Sequence, residues 1–306
     1  MIKFFSILAL FICTGVNVFA TETTGVISTI QPINSLVSAV IGNTGKSITI
    51  IPSEQSPHDF KLKPSDVKVL QNGNIIFYVS NHLESSITKV FKNLPKNIKL
   101  INLMEESGVN HLAIRDNDAW ERHDHHGHDD HDDHEKEDDV HVWLSPDNAI
   151  KIVQKVNKVL SLYFPENSKI YNDNTTKFID KIRNLKMELV KELSPIKNKP
   201  YIVFHDAYQY FEKTFELNAV GSVALEGDIA SSPKQISFIK DKIVKSKASC
   251  VFQEPQFDSK LVKIVVEGTD AKIGTLDPLG VNISENKDFY LQLITNMAKS
   301  LKECLG

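Results

Sequence analysis

The stretch ENSKIYNDNTTKFIDKIRNLKMELVKELSP (residues 166–195) reads as one long helix. Phe178, Ile182, Leu185, Leu189 and Leu193 recur at three- and four-residue steps, the period of an apolar helical stripe. At 1.5 Å per residue, about 28 residues reach roughly 42 Å, enough to cross a whole small domain. Pro195 and Pro200 stop it. A helix of that length joins what lies on its two sides.

Both sides alternate strand and helix. Before it, residues 26–30, 47–51, 75–79 and 99–103 read as apolar strands. Between and after them lie helical stretches at 32–41, 66–70, 83–91 and 146–163, the last opened by Ser145-Pro146-Asp147. After it, strands are expected at 201–204, 249–252 and 272–276, with helices at 233–246, 258–267 and 288–304. Strands separated by helices indicate parallel βαβ units. The fold class is therefore α/β: two lobes with parallel central sheets, residues 21–165 and 196–306, joined by one long connecting helix over 166–195. The halves share this alternation without a repeated sequence.

The first twenty residues carry an address. Lys3 gives a basic start, residues 4–16 are mostly apolar, and Val18-Phe19-Ala20 presents a cleavage site before Thr21. This is the layout of a secretory signal peptide, and the run is too short to span a bilayer. Cys13 sits mid-run after Ile12, where a lipoprotein needs a small residue, so the expected product is soluble, periplasmic and not membrane-spanning. The formal net charge of −4 is unevenly spread. Residues 121–139 hold ten Asp or Glu against Arg122 and Lys136, and the rest of the chain is mildly basic. No basic stripe is present to track phosphates, so a nucleic-acid partner is not expected. Only Cys250 and Cys304 remain beyond the signal, a candidate disulfide in an exported chain.

Histidine supplies the chemistry. His58 falls in the loop after strand 47–51, His141 stands before Trp143 where the acidic run ends, and His205 directly follows strand 201–204. Ligands bind at the carboxyl ends of strands in open parallel sheets, and neutral imidazole is a common ligand of Zn²⁺. His82 and His111 have no such context and are read as structural. A second signal is the run His123-Asp124-His125-His126-Gly127-His128-Asp129-Asp130-His131-Asp132-Asp133-His134. Its six histidines lie among carboxylates with no apolar residue to pack, so the run reads as an accessory metal-binding loop, mobile and outside the core.

Five motifs, in order, carry a family resemblance. They are Pro57-His58-Asp59-Phe60 with Lys63-Pro64-Ser65-Asp66-Val67, His141-Val142-Trp143-Leu144-Ser145-Pro146, Phe204-His205-Asp206-Ala207-Tyr208, residues 250–257 (CVFQEPQF) and residues 275–280 (TLDPLG). Together they resemble the ZnuA-type zinc-binding solute-binding proteins of bacterial ABC transporters (metal-binding cluster A-I, or cluster 9). The resemblance implies a zinc carrier rather than an enzyme, monomeric, delivering Zn²⁺ to a membrane permease with its cytoplasmic ATPase. It implies His58, His141 and His205 as zinc ligands in the cleft between the lobes, and a Cys250–Cys304 disulfide. Manganese-type relatives carry Glu where this chain has His205, which favours zinc. Some zinc members place a Glu before the first histidine, where this chain has Pro57. The fourth donor is therefore open among a water, Glu54 and Asp277, the last matching a ligand of the manganese relatives.

Two rivals remain at this stage. One is a manganese carrier or metal-dependent adhesin on the same fold. The other is a zinc hydrolase, disfavoured by the lack of a His-Glu-x-x-His motif. Neutral imidazoles bind the ion, so affinity is expected to fall as pH drops through the histidine range, about 6.5. Release is expected to follow local shifts of the loops bearing His58 and His141, because a long helix resists hinge closure.

Overall fold

A computed structural model describes residues 21–115, 137–224 and 233–306. The expected signal peptide and the six histidines of the acidic run lie outside the described residues.

Four short apolar runs pair in parallel to form the first sheet: β1 (Thr23–Ser28), β2 (Gly45–Thr49), β3 (Ile75–Tyr78) and β4 (Lys99–Asn102). Their spatial order is β2-β1-β3-β4. The second sheet repeats the plan with β5 (Tyr201–Val203), β6 (Ala219–Ser222), β7 (Cys250–Gln253) and β8 (Lys272–Thr275), in the order β6-β5-β7-β8. In both sheets the connections leave in opposite directions between the first and third strands. That switch point opens a crevice at the strands' carboxyl ends.

Helices α1 (Gln31–Ile41), α2 (Pro64–Gln71), α3 (Ser85–Thr88), α4 (Leu103–Glu106) and α5 (Pro146–Tyr163) belong to the first half. The connecting helix α6 (Ser168–Leu193) has 26 residues, about 39 Å of rise. Helices α7 (Gln209–Phe215), α8 (Pro233–Ser246), α9 (Lys260–Val266) and α10 (Phe289–Leu305) follow. Along α6 the buried residues are Tyr171, Thr175, Phe178, Ile179, Ile182, Leu189 and Leu193, and the helix packs against α1, α5 and α10. The stripe expected from periodicity is thus the face that bridges the halves, with Leu185 only partly buried on it.

The main core runs through both halves without a break. It joins Ile33 and Val37 of α1, Phe178 and Ile182 of α6, and Leu293 and Met297 of α10. Alternation along β5 sends Tyr201 and Val203 into this core, and Ile202 with Phe204 into a second cluster beyond the sheet with Ile239, Val251 and Val262. Cys250 in β7 is bonded to Cys304 in α10, with Cα atoms 6.2 Å apart. The contact is close: a Cβ on Gly274 would come within 2.4 Å of the Phe252 ring and 3.3 Å of the Cys304 Cβ.

Three expectations change. The helix expected over 83–91 shrinks to the single turn α3, because Glu84 turns inward. Its carboxylate accepts hydrogen bonds from Val79 N (2.9 Å), Ser80 N (3.0 Å) and the Thr29 hydroxyl (2.5 Å), and burial raises its pKa to about 7. Strand β6 was not expected, since its Ala-Val-Gly-Ser run is short and weakly apolar. Residues 137–139 do not behave as part of an unstructured acidic loop. They pair with residues 112–114 through Ile114 N to Glu137 O and Asp139 N to Leu112 O, each 2.8 Å.

Candidate metal centre

His58 lies on the loop between β2 and α2, between buried Pro57 and buried Phe60. The loop's far end is fixed where Lys63 N donates to Asp66 Oδ2, opening α2. His141 precedes the 3-10 turn Val142–Leu144 and is 3% exposed. Its neighbour Trp143 is buried, and the indole N–H donates to Pro278 O across the cleft at 3.0 Å. Tyr290 of α10 donates its hydroxyl to Trp143 O at 2.9 Å. His205 leaves the carboxyl end of β5, next to β7, and Glu254 leaves the end of β7. Those two residues occupy the switch point of the second sheet.

The three imidazoles converge. His141 Nε2 stands 3.2 Å from His58 Nε2 and 3.4 Å from His205 Nε2. Nitrogens bound at 2.0–2.1 Å to a tetrahedral ion stand about 3.3 Å apart. The two edges that meet at His141 therefore match those of a zinc tetrahedron. Among the described residues, this is the one group of three or more His, Cys, Asp or Glu whose ligand atoms lie within 4.8 Å of one another.

Behind two of the rings stand carboxylates. His141 Nδ1 is 2.8 Å from Asp139 Oδ1, which also accepts the His141 backbone N–H at 2.9 Å. His205 Nδ1 is 2.7 Å from Glu254 Oε1. Each carboxylate takes the Nδ1–H, fixes the tautomer and turns the Nε2 lone pair toward the centre. Burial, with the neighbouring imidazoles, lowers the His58 pKa to about 2, and burial with His205 holds His141 well below the ordinary histidine value. Burial also opposes charge on His205, but the charge and hydrogen bond of Glu254 outweigh it and raise that pKa. Burial raises Asp139 to about 7. Two of the three rings are thus held neutral, the form that binds metal.

Asp277 is not in the cluster. Its Oδ1 accepts from Leu279 N (3.1 Å), Gly280 N (2.8 Å) and Gln256 Nε2 (3.0 Å), and its Oδ2 accepts from Val281 N at 2.6 Å. The carboxylate closes the turn after β8 rather than facing the imidazoles. Glu54 is exposed on the His58 loop. His82 is exposed, and His111 pairs with Asp138 at 2.6 Å outside the cluster. Sequence reading missed Asp139 and Glu254. Asp139 sat two residues before His141 but was hidden among the acids of the run, and Glu254 is 49 residues from the ring it holds.

Residues 26–304 match the family described as Zinc-uptake complex component A periplasmic, ZnuA. The chain belongs to the ZnuA family. A Brucella suis protein named High-affinity zinc uptake system protein ZnuA is 39% identical over 311 residues, covering 94% of this chain and 93% of that one. The Haemophilus ducreyi protein of the same name is 32% identical, covering 92% and 93%. A crystal structure of ZnuA superposes with a TM-score of 0.78 at 20% identity, covering 94% of this chain and all of that one. A Mn-bound periplasmic metal-binding protein from Candidatus Liberibacter asiaticus superposes with a TM-score of 0.73 at 20% identity, covering 92% of this chain and 99% of that one.

The outer carboxylates yield a test. Asp139→Asn and Glu254→Gln keep the shape of each side chain and remove its charge. Each variant is expected to weaken zinc binding about tenfold, the low end of the range for such outer partners. Chelator competition at neutral pH measures it, and unchanged affinity in both would refute the orienting role.

Proposed function

We propose that the chain captures Zn²⁺ outside the cytoplasmic membrane, after cleavage of residues 1–20, and hands it to an ABC permease driven by its ATPase. The ligands are His58, His141 and His205, and a water completes the tetrahedron. The observation that carries this reading is the spacing of 3.2 and 3.4 Å between imidazole nitrogens that converge from three separate elements. The membership in the ZnuA family and the names of its relatives support zinc as the cargo.

Three neutral nitrogen donors suit Zn²⁺, whereas Mn²⁺ favours carboxylate and water oxygens. Asp277, the carboxylate that would tip the balance, is engaged by backbone amides. A carrier also fits better than a hydrolase. Asp139 Oδ1 and Glu254 Oε1 are engaged by the Nδ1 atoms of His141 and His205, behind the rings and away from the converging Nε2 atoms where a bound water would sit. Among the described residues no helix is long and apolar enough to cross a membrane.

Release draws on the least restrained ligand. His141 is bolted to the opposite half through Trp143 and Tyr290, so the expected shift of its loop would break buried hydrogen bonds. The loop bearing partly buried His58 meets the second half through a part-buried bond, Gln256 Nε2 to Ser53 O at 3.1 Å, which costs less to break than buried ones. Equilibrium competition between Zn²⁺ and Mn²⁺ tests the metal assignment. One equivalent of zinc is expected to resist a hundredfold excess of manganese, and displacement at equal concentrations would favour the manganese reading.

The acidic run is accessory in this account. Deleting residues 123–134 spares the paired stem at 112–114 and 137–139. It is expected to lower zinc stoichiometry while leaving the tightest site unchanged, because ligands close in sequence pay ordering entropy that packed elements have already met. Titration calorimetry decides it, and loss of the tightest site with the run would reverse the ranking.

A further inference from the structure

His141 and His205 belong to opposite halves of the molecule, yet one polar seam ties their surroundings together. On the first half the seam consists of residues 112–115 and the returning residues 137–139, joined by the Ala113–Asp138 bridge. On the second half it consists of Asp206 and helix α7. Tyr210 of α7 receives Leu112 N at its hydroxyl (3.1 Å) and donates that hydroxyl to Asp139 O (2.9 Å). Gln209 donates to Ala113 O at 3.1 Å.

Arg115 closes the seam. Its Nε donates to Asp206 Oδ2 at 2.9 Å, its Nη2 donates to Asp206 Oδ1, and its Nη1 donates to Glu212 Oε2 at 2.7 Å. The guanidinium side chain is 23% exposed, Asp206 16% and Glu212 6%, so the triad is largely withdrawn from water. A two-pronged guanidinium–carboxylate contact fixes orientation as well as distance. Asp206 is the residue after His205, and Asp139 is two residues before His141. The ends of the seam therefore abut His141 and His205.

We infer that Arg115 is a positioning residue for the metal centre: through Asp206 it holds His205 in register with His141 across the cleft. His141 and His205 then form a preset half-site, and His58 completes it when the ion arrives. The inference rests on the zinc-carrier reading. It assigns the fixed part of the site to the seam and the moving part to the His58 loop.

The test uses the full chain and three variants: Arg115→Ala, Arg115→Lys and Asp206→Asn. The last leaves the Arg115–Glu212 pair intact, so it reports on the His205 side even if Arg115→Ala fails to fold. Zinc dissociation is followed by stopped flow with excess chelator, and bound Co²⁺ by visible absorption, which reads ligand geometry. Zinc is expected to leave about tenfold faster from Arg115→Ala and Asp206→Asn, with an altered Co²⁺ spectrum. Arg115→Lys is expected to recover little, because an ammonium cannot make the forked contact. A purely structural role would lower thermal stability of the metal-free protein and leave the dissociation rate and the Co²⁺ spectrum as in the parent. Rates within twofold of the parent in folded Asp206→Asn would overturn the inference. Tight zinc in the parent that survives His141→Ala would instead overturn the cleft reading on which it rests.

Discussion

Replacing His141 with alanine is expected to lower zinc affinity by a hundredfold or more. Structural zinc sites with four ligands bind with about 10–16 kcal/mol, so one ligand of four is worth about 3 kcal/mol, roughly two decades of affinity. His141 is the ligand that stands 3.2 and 3.4 Å from both others, so its loss leaves His58 and His205 without the corner between them. It also strips Asp139 of its ring partner, leaving a buried carboxylate with the backbone N–H of residue 141 and Gln209. His205→Ala is the companion that separates these effects, since it removes a ligand from the other half of the molecule. Zinc-dependent thermal shift provides the readout. The parent gains about 2.7 kcal/mol at a free zinc concentration of a hundred times Kd, and neither variant gains appreciably at that concentration. A full shift in both would show that the ion binds elsewhere.

Removing the disulfide produces the second large effect. Cys250 and Cys304 are 54 residues apart. Cross-linking that loop is worth about 4 kcal/mol in the chain-entropy account. The bond links a central strand of the second sheet to the end of α10, the helix whose Tyr290 supports Trp143 beside His141. Cys250→Ser with Cys304→Ser is therefore expected to lower the thermal midpoint by about 10 °C. Zinc affinity of the folded variant should change far less, because no ligand is on either element. Unfolding of metal-free protein with and without reductant gives the same comparison without mutation. A midpoint that does not move would mean that the second half is held by its core alone.

The architecture was legible because its signals are local. The 3.6-residue stripe on α6, the apolar strands and the Ser-Pro start of α5 all act within a few residues. What was not legible depended on distant partners. The segment over 83–91 has helical composition, but Glu84 is worth more as an acceptor for the amides of Val79 and Ser80 than as part of a helix. Strand β6 carries little apolar signal and exists because β5 offers it an edge.

The same division runs through the site. His58 and His205 stood out through their placement after strands, and all three of His58, His141 and His205 through recognisable motifs. Asp277 was one of three candidates for the fourth donor, but its oxygens are claimed by the turn that follows it, which no pattern of single residues discloses. Asp139, Glu254 and Arg115 act by contacts between residues 2, 49 and 91 positions apart. Asp139 was the closest to being readable, since a carboxylate two residues from a metal-binding histidine is within reach of its ring. Composition concealed it: it is the last of a run of acids, and only folding separates it from them.

The central claim is that one zinc ion is held by three imidazoles from separate elements. Zinc-edge X-ray absorption on the chain lacking residues 123–134, loaded with one equivalent of Zn²⁺, tests it most directly. The account predicts a first shell of three imidazole nitrogens at about 2.0–2.1 Å with one further light ligand. A shell dominated by carboxylate oxygen, or one that persists unchanged after His58, His141 and His205 are replaced together, would contradict it.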